Sequence, residues 1–159
     1  MSASVQVESD SIRRAQPSRN PRCVVCGSEN PSGLHLHFRA DASGARANWT
    51  PTRDWESFQA TVHGGIIATV LDEAMSKAIV ARGWEALTAE LKVRLRKRIA
   101  PGDELEVHGW VVRRKKRHIQ AEAVIASDGE ELAHAWGTFL APEDKKAVSD
   151  TGDVERLLR

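Results

Sequence analysis

His63-Gly64-Gly65, followed by an apolar run that carries Asp72 and Glu73, puts a helix start and a carboxylate pair in one segment. The first amides of a helix have no intrahelical partner and sit at the positive end of its dipole. A helix opened by bare glycines therefore offers N–H groups to a negative oxygen. Glycine also removes the side chain that would keep a carbonyl at a distance. Asp72 and Glu73 lie more than two turns further on, where a globular helix would rather bury apolar residues. A backbone donor for an oxyanion combined with an acid suits acyl chemistry. The plainer alternative takes the glycines as a helix start only and the two acids as its solvated face.

Asp72 follows Gly64 by eight residues, about 12 Å along a helix axis at 1.5 Å per residue. A carboxylate cannot reach back over that distance to an oxygen held on the Gly64 amide. If both act on one substrate, they come from different copies of the helix, which implies a homo-oligomer, a dimer or tetramer with shared sites. Asp72 and Glu73 diverge by about 100° around the axis, so only one of them faces a given carbonyl. Other nucleophiles fit poorly. No G-x-S-x-G elbow is present. Cys23 and Cys26 have half the spacing of a zinc site, with His35 and His37 as the residues that would complete it. Two histidines two apart on a strand share one face, opposite Leu34 and Leu36, so that set closes only if the loop folds back. The cysteines are read instead as reduced thiols, and neither metal nor cofactor is assigned.

The elements that must position these groups follow from periodicity. Residues 1–20 read as a serine- and arginine-rich arm, 21–142 as one domain and 143–159 as a polar tail. Leu34–Phe38 alternates as a strand, Asp41–Gly44 turns, and Ala45–Trp49 returns. After an irregular link, a helix is expected from Gly64 to Arg82, ended by Gly83. Its apolar stripe comprises Ile67, Val70, Leu71, Ala74, Ala78 and Ile79, widened by Ile66 and Met75. Strands are expected over 88–99, 104–112, 119–126 and 132–140. Arg113–Arg117 forms a basic connection, and Ser127-Asp128-Gly129-Glu130 a hairpin turn. Short links make antiparallel neighbours, so the fold class is α+β, one broad-striped helix on one antiparallel sheet.

Twenty-three basic and 22 acidic residues nearly cancel, and aromatic residues make up only 5% of the chain, which argues against nucleic-acid binding. The longest apolar region holds Asp72, Glu73 and Lys77, which are costly in lipid, so no membrane span is expected. The N-terminus lacks an apolar signal core, and Glu8 and Asp10 argue against a transit peptide, so a cytoplasmic protein is expected.

Several motifs recur in order along the chain. Cys23-Val24-Val25-Cys26-Gly27, Asn30-Pro31 and Gly33-Leu34 come first. His63-Gly64-Gly65 follows, with Asp72 nine positions after the histidine. Thr88-Ala89-Glu90-Leu91-Lys92-Val93 and Pro101-Gly102-Asp103-Glu104-Leu105 complete the set. Over about residues 22–141 this pattern resembles the hotdog-fold thioesterases, and among them the phenylacetic-acid-degradation type. The resemblance implies a long central helix wrapped by a curved antiparallel sheet, and hydrolysis of an acyl-coenzyme A thioester. Asp72 would be general base or nucleophile, and the Gly64 amide would hold the oxyanion. His63 would fix the loop or bond near the carbonyl, and Thr88 would help to position water. Gly65 and Glu73 fall on the substrate side, Glu73 also being the base of other hotdog branches. Some relatives carry asparagine where this chain has Ser57, and nearby Gln59 could supply the amide. Coenzyme A phosphates would call on basic residues among Lys92, Arg94, Arg96, Arg98 and Arg113–Arg117. A non-catalytic acyl-CoA or lipid-binding hotdog protein and a hotdog hydratase or dehydratase are the alternatives.

Overall fold

Tight turns decide which strands are neighbours. At the last hairpin Asp128 and Gly129 both take left-handed φ, 50° and 79°, the pair of conformations that lets a two-residue loop follow the strand twist. The computed structural model describes residues 13–14, 20–41 and 43–142. Its elements are β1 (Arg13–Arg14), β2 (Arg39–Asp41), β3 (Gly44–Trp49), a short 3-10 turn (Arg53–Trp55), α1 (Gly64–Ala81), β4 (Leu87–Leu95), β5 (Leu105–Lys115), β6 (His118–Ser127) and β7 (Glu130–Leu140). All strand pairs are antiparallel, in the order β1-β2-β3-β5-β6-β7-β4. The strand that follows the helix thus forms one end of the sheet, and α1 lies across the sheet's concave face.

The helix stripe is buried as its spacing implies. Ile67, Val70, Leu71, Ala74, Met75, Ala78 and Ile79 are all inside, with Phe139, Ile119, Ile125 and Val107 facing them from the sheet. Each of the larger side chains among these, valine and upward, contributes about 1.5–3 kcal/mol when fully buried. The helix backbone itself meets β5 at Gly109, where an added Cβ would stand 2.4 Å from the Ala74 carbonyl. The far end of α1 closes on Gly83, at φ 75°, with Gly83 N–H donating to Val80 O and Trp84 N–H to Ile79 O. That double bond pattern stops the helix and turns the chain back into β4.

Three expected boundaries shift. Residues 34–38 are not a strand; Leu36 and Phe38 are buried and His35 and His37 exposed, so the alternation holds, but Leu34 and Leu36 donate to Val24 O and Val25 O of the cysteine loop. Their amides serve that loop, and laddering begins only at Arg39. β4 ends at Leu95, because Arg96 and Lys97 N–H both turn onto the Leu132 carbonyl. The basic run is no connection: Arg113–Lys115 continue β5, and only Lys116 and Arg117 make the turn. The expected arm, apart from Arg13, Arg14 and Asn20, and the expected tail after Pro142 lie outside the described residues. Among the described residues, no helix is long and apolar enough to cross a membrane.

Candidate active site

The start of α1 leaves one amide open. His63 is the N-cap, in extended conformation, and its Nδ1 accepts from Gly65 N–H at 2.9 Å. Its carbonyl takes Ile66 N–H at 3.0 Å and Ile67 N–H at 3.2 Å. Of the first four helix amides, Gly64 N–H alone has no partner among the described residues. His63 is itself held from both sides: its N–H donates to Trp55 O, and the preceding Val62 N–H to Ile99 O. The histidine thus fixes the loop by capping, and in its neutral form the ring proton lies on Nε2. Gly65, expected on the substrate side, gives its amide to that cap.

Asp72 is half-buried, and Thr88 Oγ1 donates to its Oδ1 at 2.8 Å. Burial pushes the carboxyl above its ordinary pKa; the Thr88 bond opposes that, and the neighbouring charge of Glu73 adds to it. Thr88 reaches Asp72 because the chain reverses at Gly83, and an extra residue, Ala89, breaks the β4–β7 register beside it. Such a bulge re-aims adjacent side chains. A carboxylate held by one hydroxyl and partly shielded from water is suited to take a proton from water or to attack a carbonyl.

Glu73 points elsewhere. Its Oε1 accepts from Cys26 Sγ at 2.9 Å, lies 4.0 Å from Cys23 Sγ and pairs with Lys77 Nζ at 3.4 Å. Burial opposes the Lys77 charge, but Glu73 and Cys26 outweigh it and hold the lysine above its usual pKa. The third group beside the cysteines is therefore this glutamate, while His35 and His37 stay at the surface. The Glu73–Lys77 spacing of four was readable in the sequence; its meeting with a cysteine loop some fifty residues away was not.

Ser57 and Gln59 are exposed in the loop before α1, where Ser57 N–H donates to Thr61 O and Gln59 O accepts from Thr61 Oγ1. A groove of about 300 Å³ runs beside this loop, lined by Thr61, Val62, Ile67, Leu95 and Arg96–Ile99. An added Cβ on Gly64 would meet Leu95 Cδ1, a side chain that lines the groove, while neither Gly64 nor Asp72 is among its lining residues. Of the basic residues there, Arg96 pairs with Glu131 at 2.6 Å, Lys97 with Glu130, and Arg98 donates to Ala60 O. Lys92 lies over the Trp136 ring, within a row of His108, Trp110, His134 and Trp136 that the sequence did not single out.

Known proteins agree with this architecture. The thioesterase superfamily model matches residues 59–134, from the loop before α1 into β7. No curated protein matches the sequence. Among solved structures, a thioesterase superfamily protein superposes with a TM-score of 0.72 at 24% identity over 76% of this chain, which spans 60% of that protein's length. A hypothetical thioesterase from Streptococcus pneumoniae, solved with coenzyme A, gives 0.60 at 16% identity, over 62% of this chain and 81% of its own. Further structures of that protein carry an aspartate or a threonine replaced by alanine, and the two positions have the separation of Asp72 and Thr88 here. A phenylacetic acid degradation-related protein from Ralstonia eutropha gives 0.62 at 20% identity, over 68% of this chain and 86% of its own. Sequence model and architecture converge: residues 59–134 match the thioesterase superfamily model, and the chain has the hotdog fold of the solved thioesterases.

Proposed function

We propose that the chain is an acyl-CoA thioesterase in which Asp72 is general base or nucleophile and the Gly64 amide is the oxyanion donor. The observation that carries this reading is the bond from Thr88 to a half-buried Asp72, which lies on the helix whose first amide has no partner among the described residues. Asp72 takes a proton from water as it attacks the thioester carbon, or attacks directly to form an acyl-Asp72 anhydride that water then hydrolyses to free acid and carboxylate. The oxygen gathers negative charge on Gly64 N–H, and collapse expels the coenzyme A thiolate. One well-placed donor of this kind is worth about 3 kcal/mol in the barrier. Thr88 holds Asp72 in one rotamer and helps to place the water. The coenzyme A bound by the pneumococcal protein, and its aspartate and threonine variants, support the substrate class and the choice of pair.

The two groups lie about 12 Å apart along one helix, so the working site takes Gly64 from one copy and Asp72 from another. β4 is the edge for that contact: it ends the sheet, has no strand partner on its outer side among the described residues, and exposes Leu91 and Leu95. Asp72→Asn tests the chemistry. Thiol release from acyl-CoA should fall by two decades or more, the usual contribution of a positioned base, while acyl-CoA still binds. Glu73→Gln should be milder, since Glu73 faces the cysteine loop. The reverse order would transfer the base to Glu73. Hydrolysis indifferent to both changes would overturn this assignment of the base, and a wild-type chain that binds acyl-CoA without hydrolysing it would leave non-catalytic binding as the function.

A further inference from the structure

The cysteine loop is built more rigidly than two spare thiols require. Cys23 N–H donates to Asn20 O, Gly27 N–H to Cys23 O, Glu29 N–H to Pro21 O, and Leu34 and Leu36 N–H bond back to Val24 O and Val25 O. Position 27 admits only glycine, because a Cβ there would fall 2.4 Å from Cys23 N and 2.5 Å from Pro21 O. The result is a tight C-x-x-C-G knuckle that turns both sulfurs toward the same point on α1. Glu73 stands at that point. One ligand atom from each of Cys23, Cys26 and Glu73 lies within 4.8 Å of the other two.

We propose that Cys23, Cys26 and Glu73 bind one thiophilic divalent cation of the zinc class. Zinc–sulfur bonds of about 2.3 Å and zinc–oxygen bonds of about 2.1 Å put tetrahedral S···O edges near roughly 3.6 Å. The two observed separations, 2.9 Å and 4.0 Å, bracket that edge. Two sulfurs and one oxygen select zinc-like ions over magnesium or calcium. Binding releases the two thiol protons to solvent, and the fourth position is left to water. Two thiolates, a carboxylate and a divalent ion sum to one negative charge. Lys77, only 9% exposed and 3.4 Å from Glu73 Oε1, supplies the balancing positive charge. Without the ion, the half-buried carboxylate has, among the described residues, only weak thiol donors besides that lysine. The bound ion would fasten residues 20–36 to α1 one residue past Asp72, a role separate from the hydrolysis proposed above.

Cobalt(II) reports the site without any activity assay. The full chain, reduced and held anaerobically, is titrated with Co(II) and then with Zn(II). One equivalent per chain should give sulfur-to-cobalt charge-transfer absorption with the strong visible bands of a tetrahedral centre, and zinc should displace it. Cys26→Ser and Cys23→Ser should each lose charge-transfer intensity. Glu73→Gln should keep the two-thiolate band and weaken binding by more than the roughly tenfold lost with an outer-shell partner. Far-UV circular dichroism checks that each variant is folded. A wild-type chain with two titratable thiols and no charge-transfer band would overturn the proposal. So would a band unchanged in both serine variants, and Co(II) affinity unchanged in folded Glu73→Gln would remove Glu73 from the ligand set.

Discussion

A backbone amide is hard to test by mutation, but Gly64 permits it. Proline is well suited to the first helical position, where its missing N–H breaks no helix bond. The residue before a proline must be extended, and His63 already is, at φ −61° and ψ 130°. Gly64→Pro therefore deletes the open donor and leaves α1 in place. We expect kcat to fall about 10²–10³-fold, the cost of losing one oxyanion-hole donor, with the melting temperature little changed. Gly64→Ala is the control: its Cβ meets only the tip of Leu95, which can rotate away, and its amide remains. Equal losses in the two variants would mean that crowding, and not the amide, is responsible. At this scale the sequence was informative, because a glycine pair after a histidine already identifies a helix end. The resemblance named Gly64 as the donor; the residues by themselves do not say which of the two glycines keeps its amide free, since that depends on the direction of the His63 ring.

At the scale of elements, the seam between α1 and β5 is set by a missing side chain. A Cβ at position 109 would meet the Ala74 carbonyl carbon and oxygen at 2.4 Å and Met75 N at 2.8 Å. Backbone atoms in mid-helix cannot step aside as a side-chain tip can. Gly109→Ala should cost at least the 1–3 kcal/mol typical of overpacking, read as a lower denaturant midpoint with little change in slope. Gly137→Ala, whose Cβ would meet the Phe139 ring at 2.6 Å and the flexible Met75 side chain at 3.0 Å, should cost less. Neither glycine shows in the sequence as anything but a break in β propensity. The helix, the four long strands and the hairpin turns were legible because their periodicities and turn residues are local. Residues 34–38 kept their alternation and lost their ladder, since the partner of those amides is a loop. The meeting of Glu73 with Cys26 rests on how α1 docks, and no local pattern encodes it.

In the whole molecule, sharing of sites makes a quantitative prediction. If sites are shared as proposed, a dimer of one Asp72→Asn chain and one Gly64→Pro chain contains one site with both groups intact and one with neither, because each isologous site then draws on both copies. Either variant alone should be nearly inactive. Random exchange makes half the dimers mixed, each with one of two sites restored, so the mixture should regain about a quarter of wild-type activity. No recovery after exchange, verified by mass spectrometry of the mixed species, would place both groups of each site in one chain. Sedimentation should meanwhile find no monomer at working concentration. The capping of α1 has a further consequence for a ligand that carries several anionic groups. A helix end that cradles phosphate does so with several amides at once. Here the histidine ring and carbonyl occupy three of the first four, and a single donor is left. One donor satisfies the lone oxygen of a polarised carbonyl and serves a phosphate poorly. The helix terminus is thereby insulated from competition by the pyrophosphate of coenzyme A, the product of the proposed reaction, and by phosphate in the surrounding medium, and discriminates among anions by the number of hydrogen bonds it withholds.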